Sequence, residues 1–116
     1  MDPRLEQALD FSNYNQTLST KRRQLKEKVD AKLTYGHNGG IFKIDRTLIV
    51  FVQMLIDQDR TNDVPILDSN ENPILIEDLS LFRDEIIDRY FSSVYDYYEQ
   101  YQGIKKARTV KMLVDL

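Results

Sequence analysis

Residues 73–103 restrict the fold of this chain more than any other stretch. From Leu79 the apolar side chains recur as Leu79, Phe82, Ile86, Tyr90, Val94, Tyr97 and Tyr101, in steps of three or four that place them on one side of an α-helix. Ile87, Phe91, Tyr95 and Tyr98 make a second stripe beside the first. Together the stripes cover about half of the helix circumference, whereas a surface helix needs a single face of ~100°. The spacing therefore predicts a helix over residues 78–102 with more than one neighbour. Asp78 suits its N-cap and Gly103 its end, with Lys105 and Lys106 near the negative pole of the helix dipole.

The rest of the chain has to supply those neighbours. Its 116 residues, 41% hydrophobic and 30% charged, correspond to one domain with a modest core, residues 1–116. The first ten residues read as a weak helical turn started by Asp2 and Pro3, followed by poor to middling helix formers at Ser12, Asn13, Asn15, Gln16 and Thr17 that predict a break. A second helix is expected over residues 14–35 and stopped by Gly36; His37-Asn38-Gly39-Gly40 then reads as a flexible connector. Its apolar stripe, with Leu18, Leu25, Val29 and Leu33, is narrow, as in a two-helix seam or a protruding arm spanning residues 1–36.

Ile41 to Ile44 reads as a short strand, and Asp45 as the cap of a helix over residues 46–57 that is apolar on nearly every side and so expected to be buried. Val64 to Leu67 and Pro73 to Ile76 flank the turn-rich Asp68-Ser69-Asn70-Glu71-Asn72, which predicts a β-hairpin over residues 64–76. The tail, residues 104–116, fits either a helix or an added strand. The expected class is α+β and mostly helical: three main helices with a small two- or three-stranded antiparallel sheet, the strand at 41–44 being the third.

Chemistry-bearing residues do not converge in the sequence. There is no cysteine, hence no disulfide, no thiolate nucleophile and no Cys-containing metal site. His37 is the single histidine and reads as a solvated loop residue. Residues 36–40 lack the Gly-Lys-Ser/Thr ending of a phosphate loop. Asp57, Asp59, Thr61, Asp63 and Asp68 follow calcium-loop spacing, but Asn62 stands where that loop needs glycine and Asp68 where it needs a bidentate glutamate. Asp84, Glu85 and Asp88 lie among Arg83 and Arg89 on the polar side of the last helix, which reads as a solvated face. No enzymatic activity, cofactor, catalytic residue or metal ligand is expected.

Charge and aromatic content point instead to binding. The net charge is -3, yet residues 21–32 hold six cations against two acids, and residues 57–99 twelve acids against three arginines. Such polarity can pair copies of one molecule or steer a partner. Tyrosine is enriched at interfaces because it buries a large ring and keeps a wet end. Leu18, Leu25, Val29 and Leu33 of the first stripe, with Tyr95 and Tyr98 of the second, are the candidate protein interface. Lys21, Arg22, Arg23, Lys26 and Lys28 are the candidate nucleic-acid contacts.

The segment Val64-Pro65-Ile66-Leu67-Asp68-Ser69-Asn70-Glu71-Asn72-Pro73-Ile74, a short hairpin feeding an aromatic helix, resembles small uncharacterised proteins of T4-like tailed bacteriophages, including those infecting cyanobacteria. The resemblance implies a viral origin, a host-cytoplasmic or virion setting, and a role in assembly or in handling host or phage machinery. The start of the chain lacks the basic-then-apolar pattern of a secretion signal, and its longest apolar run, residues 48–56, is about half of a bilayer span. A cytoplasmic protein without membrane contacts is therefore expected. The leading expectation is a non-enzymatic assembly or interaction factor, bound to itself or to another protein; the alternative is an accessory nucleic-acid-binding protein.

Overall fold

The computed structural model describes residues 2–116. The elements run α1 (Pro3–Lys32), β1 (Thr34–His37), β2 (Gly40–Lys43), α2 (Arg46–Asp57), β3 (Asn62–Leu67), β4 (Pro73–Asp78), α3 (Leu79–Lys106) and α4 (Val110–Val114). The class is α+β and mostly helical, with two separate two-stranded antiparallel sheets, β1-β2 and β3-β4. Contacts divide the chain into two compact units, Met1–Val29 with Tyr95–Leu116, and Asp30–Val94.

In the unit Asp30–Val94, the first hairpin replaces the expected end of the second helix and the expected connector. Asn38 and Gly39 both have positive φ, 51° and 84°, as a two-residue hairpin turn of the primed type requires. The residues read as flexible thus turn the chain back so that Tyr35 pairs with Phe42 and His37 with Gly40. Thr34 Oγ1 donates to the carbonyl of Asp30, satisfying one orphan acceptor where α1 ends. Strand 41–44 accordingly finds its partner in residues 34–37, and among the described residues no three-stranded sheet forms.

The second hairpin matches the expected one. Val64 pairs with Ile76 and Ile66 with Ile74, joined by the loop of residues 68–72. Its link to the first hairpin is Asp68. The Asp68 carboxylate accepts the backbone N-H of Ile41 at 3.0 Å and those of Asn70 and Asn72 at 2.9 Å each, while Ser69 N-H donates to the Ile41 carbonyl at 2.8 Å. Gly40 permits this approach, since a Cβ there would collide with the Ile74 side chain. The Ile41 amide first, then that of Asn72, holds the Asp68 carboxyl below its ordinary range, against the opposing effect of burial; the Asn70 amide adds to the lowering.

A group whose folded pKa is depressed contributes stability above its unfolded pKa and loses it as pH falls through the folded value. Asp68→Asn places an N-H₂ donor against backbone donors, so the variant is expected to melt at lower temperature than the parent at pH 7. That gap should narrow as pH falls below about 4, the ordinary carboxyl range. Calorimetric melts across that range test this; equal melting temperatures at neutral pH would show that Asp68 does not hold the hairpins together.

Both hairpins pack on α2 and α3 around Phe42, Ile44, Val52, Ile66, Ile76, Leu79, Phe82 and Ile86. Asp45 caps α2 by accepting Leu48 N-H at 2.8 Å, and Asp78 caps α3 by accepting from Ser80 and Leu81. At its other end α2 closes with Asp59 in the left-handed region and Arg60 N-H on the Leu55 carbonyl, a Schellman arrangement. Helix α2 is not buried on every side as expected. Val52 is enclosed, whereas Val50, Phe51 and Met54 are exposed, because the hairpins and α3 leave one of its faces uncovered.

In the other unit, α1 runs unbroken through the expected break at residues 12–17. The reason is tertiary: Tyr14 donates its hydroxyl proton to the Ala107 carbonyl at 3.0 Å, and Tyr14 and Leu18 pack against the cluster Leu25, Ile104, Ala107 and Leu113. Such packing outweighs the few tenths of a kcal/mol by which Ser and Asn disfavour a helix. Helix α3 also continues past Gly103, where a Cβ would lie 3.2 Å from Leu116. Gly103 therefore makes room for the Leu116 side chain instead of stopping the helix. The segment read as an arm shares a core with the tail up to Val29, while residues 30–36 belong to the other unit; the tail forms α4 under a Thr109 cap.

Candidate functional site

Within the unit Met1–Val29 with Tyr95–Leu116, one face of α1 and one of α3 enclose a cleft of about 480 Å³ lined by Ser19, Arg22, Arg23, Leu25, Lys26, Tyr97 and Tyr101. Leu25, 6% exposed, is rooted in the core and fixes the floor. Arg22, Arg23 and Lys26 lie within about one turn of α1 and are exposed. Tyr97 and Tyr101, i and i+4 on α3, stack at 6.4 Å with an interplanar angle of 17°. Tyr97 leans on the core, while Tyr101 is 37% exposed. Three cations thus border an aromatic wall.

The cations are poorly satisfied within the chain. Arg23 Nε lies 3.9 Å from the Glu27 carboxylate, with both side chains more than two-thirds exposed, and a pair of this kind contributes almost nothing to stability. Among the described residues, no carboxylate pairs with Arg22 or Lys26. Helical geometry divides the predicted basic set: Lys21 and Lys28 border a separate hollow with Gln24, Glu99, Gln100 and Gly103, and Lys28 Nζ donates to Gln100 Oε1 at 3.3 Å.

The candidate interface residues also separate. Leu25 is core, Leu18 packs against the same cluster, Val29 is half-buried, and Leu33 packs in the other unit's core. The first stripe is thereby spent inside the chain. Tyr95 and Tyr98 are 68% and 59% exposed, on a different side of α3 from Ile104 and Tyr97. The contrast with Phe82 and Ile86, at 2% and 0%, follows the expected division of α3 in its first half only: Val94 and Tyr101 of the expected core stripe are each 37% exposed, and Ser93 is buried instead.

The remaining chemistry-bearing residues have structural partners. His37 is half-buried, edge-on to Phe82 at 5.2 Å, with Nδ1 3.2 Å from the Tyr35 hydroxyl in a hydrogen bond whose direction follows the imidazole tautomer. Glu85 pairs with Arg89, whose guanidinium sits 4.4 Å over the Tyr35 ring, and Asp84 pairs with Arg83. Asp57 accepts from Gln53, and Asp68 from backbone. Among the described residues no three His, Cys, Asp or Glu side chains are grouped to hold a metal. No helix among them is long and apolar enough to cross a membrane.

The stacked tyrosines beside the arginines were missed in sequence because about 75 residues separate the two halves of the cleft, and both tyrosines fit the core periodicity. The fold and cleft define a small α+β protein with exposed aromatic and basic surfaces. No family model matches the chain, and neither the curated proteins nor the solved structures return a match.

Proposed function

We propose that this protein is a non-enzymatic assembly factor that associates with a second copy of itself through the tyrosine flank of α3. The exposure of Tyr95 and Tyr98 carries this reading. Aromatic side chains that are large, rigid and wet at one end are the usual anchors of interfaces. A second copy suits the flank because each chain carries both a basic and an acid-rich segment, so two copies offer each other complementary charge. The resemblance of residues 64–74 to small T4-like phage proteins supports a setting in the host cytoplasm or the virion.

Sedimentation velocity at tens of micromolar tests this. The parent is expected to associate, and Tyr95→Lys with Tyr98→Lys to weaken association by about 100-fold, the loss of two anchors at ~1–2 kcal/mol each. A parent that stays monomeric at those concentrations sinks the reading. A second reading, accessory nucleic-acid binding, is favoured by one observation: Arg22, Arg23 and Lys26 share their cleft with the Tyr97 and Tyr101 rings.

A further inference from the structure

We infer that the cleft between α1 and α3 is a single-strand nucleic-acid site, in which a base stacks on the exposed Tyr101 ring and the adjoining phosphates lie along Arg22, Arg23 and Lys26. This deepens, and rests on, the nucleic-acid reading. Tyr101 lines this cleft and Tyr95 and Tyr98 do not, although Tyr98 lies one turn before Tyr101 on α3.

The choice of ligand follows from the mixture of groups. A cationic helix face alone would take any polyanion, since counterion release is blind to sequence and strandedness. An aromatic wall beside it adds a contact that only an unpaired base can make, because bases in a duplex are already stacked on one another. Tyr97 backs Tyr101 from the core side, so the pair presents a supported ring instead of a loose one. Arg22 and Lys26, four residues apart, are offset by ~6 Å along the α1 axis, comparable with the step between successive phosphates of an extended strand. Arginine adds a planar fork suited to two phosphate oxygens. A folded or duplexed nucleic acid offers the phosphates without the free ring face.

Fluorescence anisotropy with a labelled oligothymidylate of about 15 nucleotides, the corresponding duplex, and unlabelled polyglutamate as competitor tests this between about 50 and 200 mM salt. The protein is expected to prefer the single strand. Tyr101→Leu should weaken that binding by about tenfold at every salt concentration, as the loss of one stacked base predicts, while Tyr101→Phe retains it. Arg22→Gln and Lys26→Gln should each flatten the logarithmic salt dependence by about 0.7. Circular dichroism melts show whether each variant keeps the parent fold, and the folded Tyr101→Phe supplies the comparison if Tyr101→Leu does not fold.

If single strand and duplex bind alike and Tyr101→Leu changes nothing, the stacking site is overturned while the nucleic-acid reading survives. Undetectable binding at the lowest salt overturns both. Competition by polyglutamate as effective as that by the unlabelled single strand overturns both as well, and assigns the cleft to acidic polypeptides.

Discussion

Phe82→Ala is expected to remove about 3–5 kcal/mol of stability, the usual cost of truncating an enclosed aromatic side chain. The ring is 2% exposed and meets Phe42 edge-on at 5.2 Å, with His37 and Tyr35 also against it. One residue of α3 therefore holds both strands of the first hairpin. Domains of this size have only about 5–15 kcal/mol in hand, so the variant should populate unfolded chains under mild urea. A urea titration monitored by tyrosine fluorescence measures the change. A shift of less than about 1 kcal/mol would mean that the hairpin collapses into the space the ring leaves.

Leu113→Ala is the second large effect, at about 2–5 kcal/mol. Leu113 is fully enclosed, yet its cluster consists of Leu25, Ile104, Ala107 and Leu113 with Tyr14, Leu18 and Tyr97 packed around it. So small a core has little reserve, and α4 has only five residues with which to stay helical unaided. Hydrogen exchange is expected to accelerate first in residues 107–116 and then around Leu25, the floor of the basic cleft. Oligonucleotide binding should weaken with it, since the cations and tyrosines depend on that floor for their spacing. Unchanged exchange around Leu25 would disprove the dependence.

Much of the fold was legible for identifiable reasons. The hairpin over residues 64–76 could be read because its strands and turn lie next to one another in the chain, and β-branched residues bordered by Asp, Asn and Pro leave few alternatives. Asp45 and Asp78 were readable as caps because a cap interacts with its own next turn. The Asn38-Gly39 pair carried an equally local signal for the first hairpin, but with Gly36 and Gly40 beside it the stretch also suits a connector. The two readings separate only when residues 34–37 are given a strand to pair with. Tyr14 shows the opposite limit: nothing near residues 12–17 announces that Ala107 will accept its hydroxyl and keep α1 continuous.

The aromatic helix could be divided in advance into a core stripe and an outward stripe, and Phe82 and Ile86 against Tyr95 and Tyr98 fall on the two sides of that division. Periodicity sets each side chain's direction on a helix, but not how far the core reaches along it, since Val94 and Tyr101 of the core stripe are exposed. Which outward residues keep company with which charges was decided by tertiary structure. Arg22 and Lys26 line the same cleft as Tyr97 and Tyr101 only because Leu25, Ile104, Ala107 and Leu113 exclude water together. That cluster joins segments far apart in the chain through non-directional apolar burial, which local spacing does not encode.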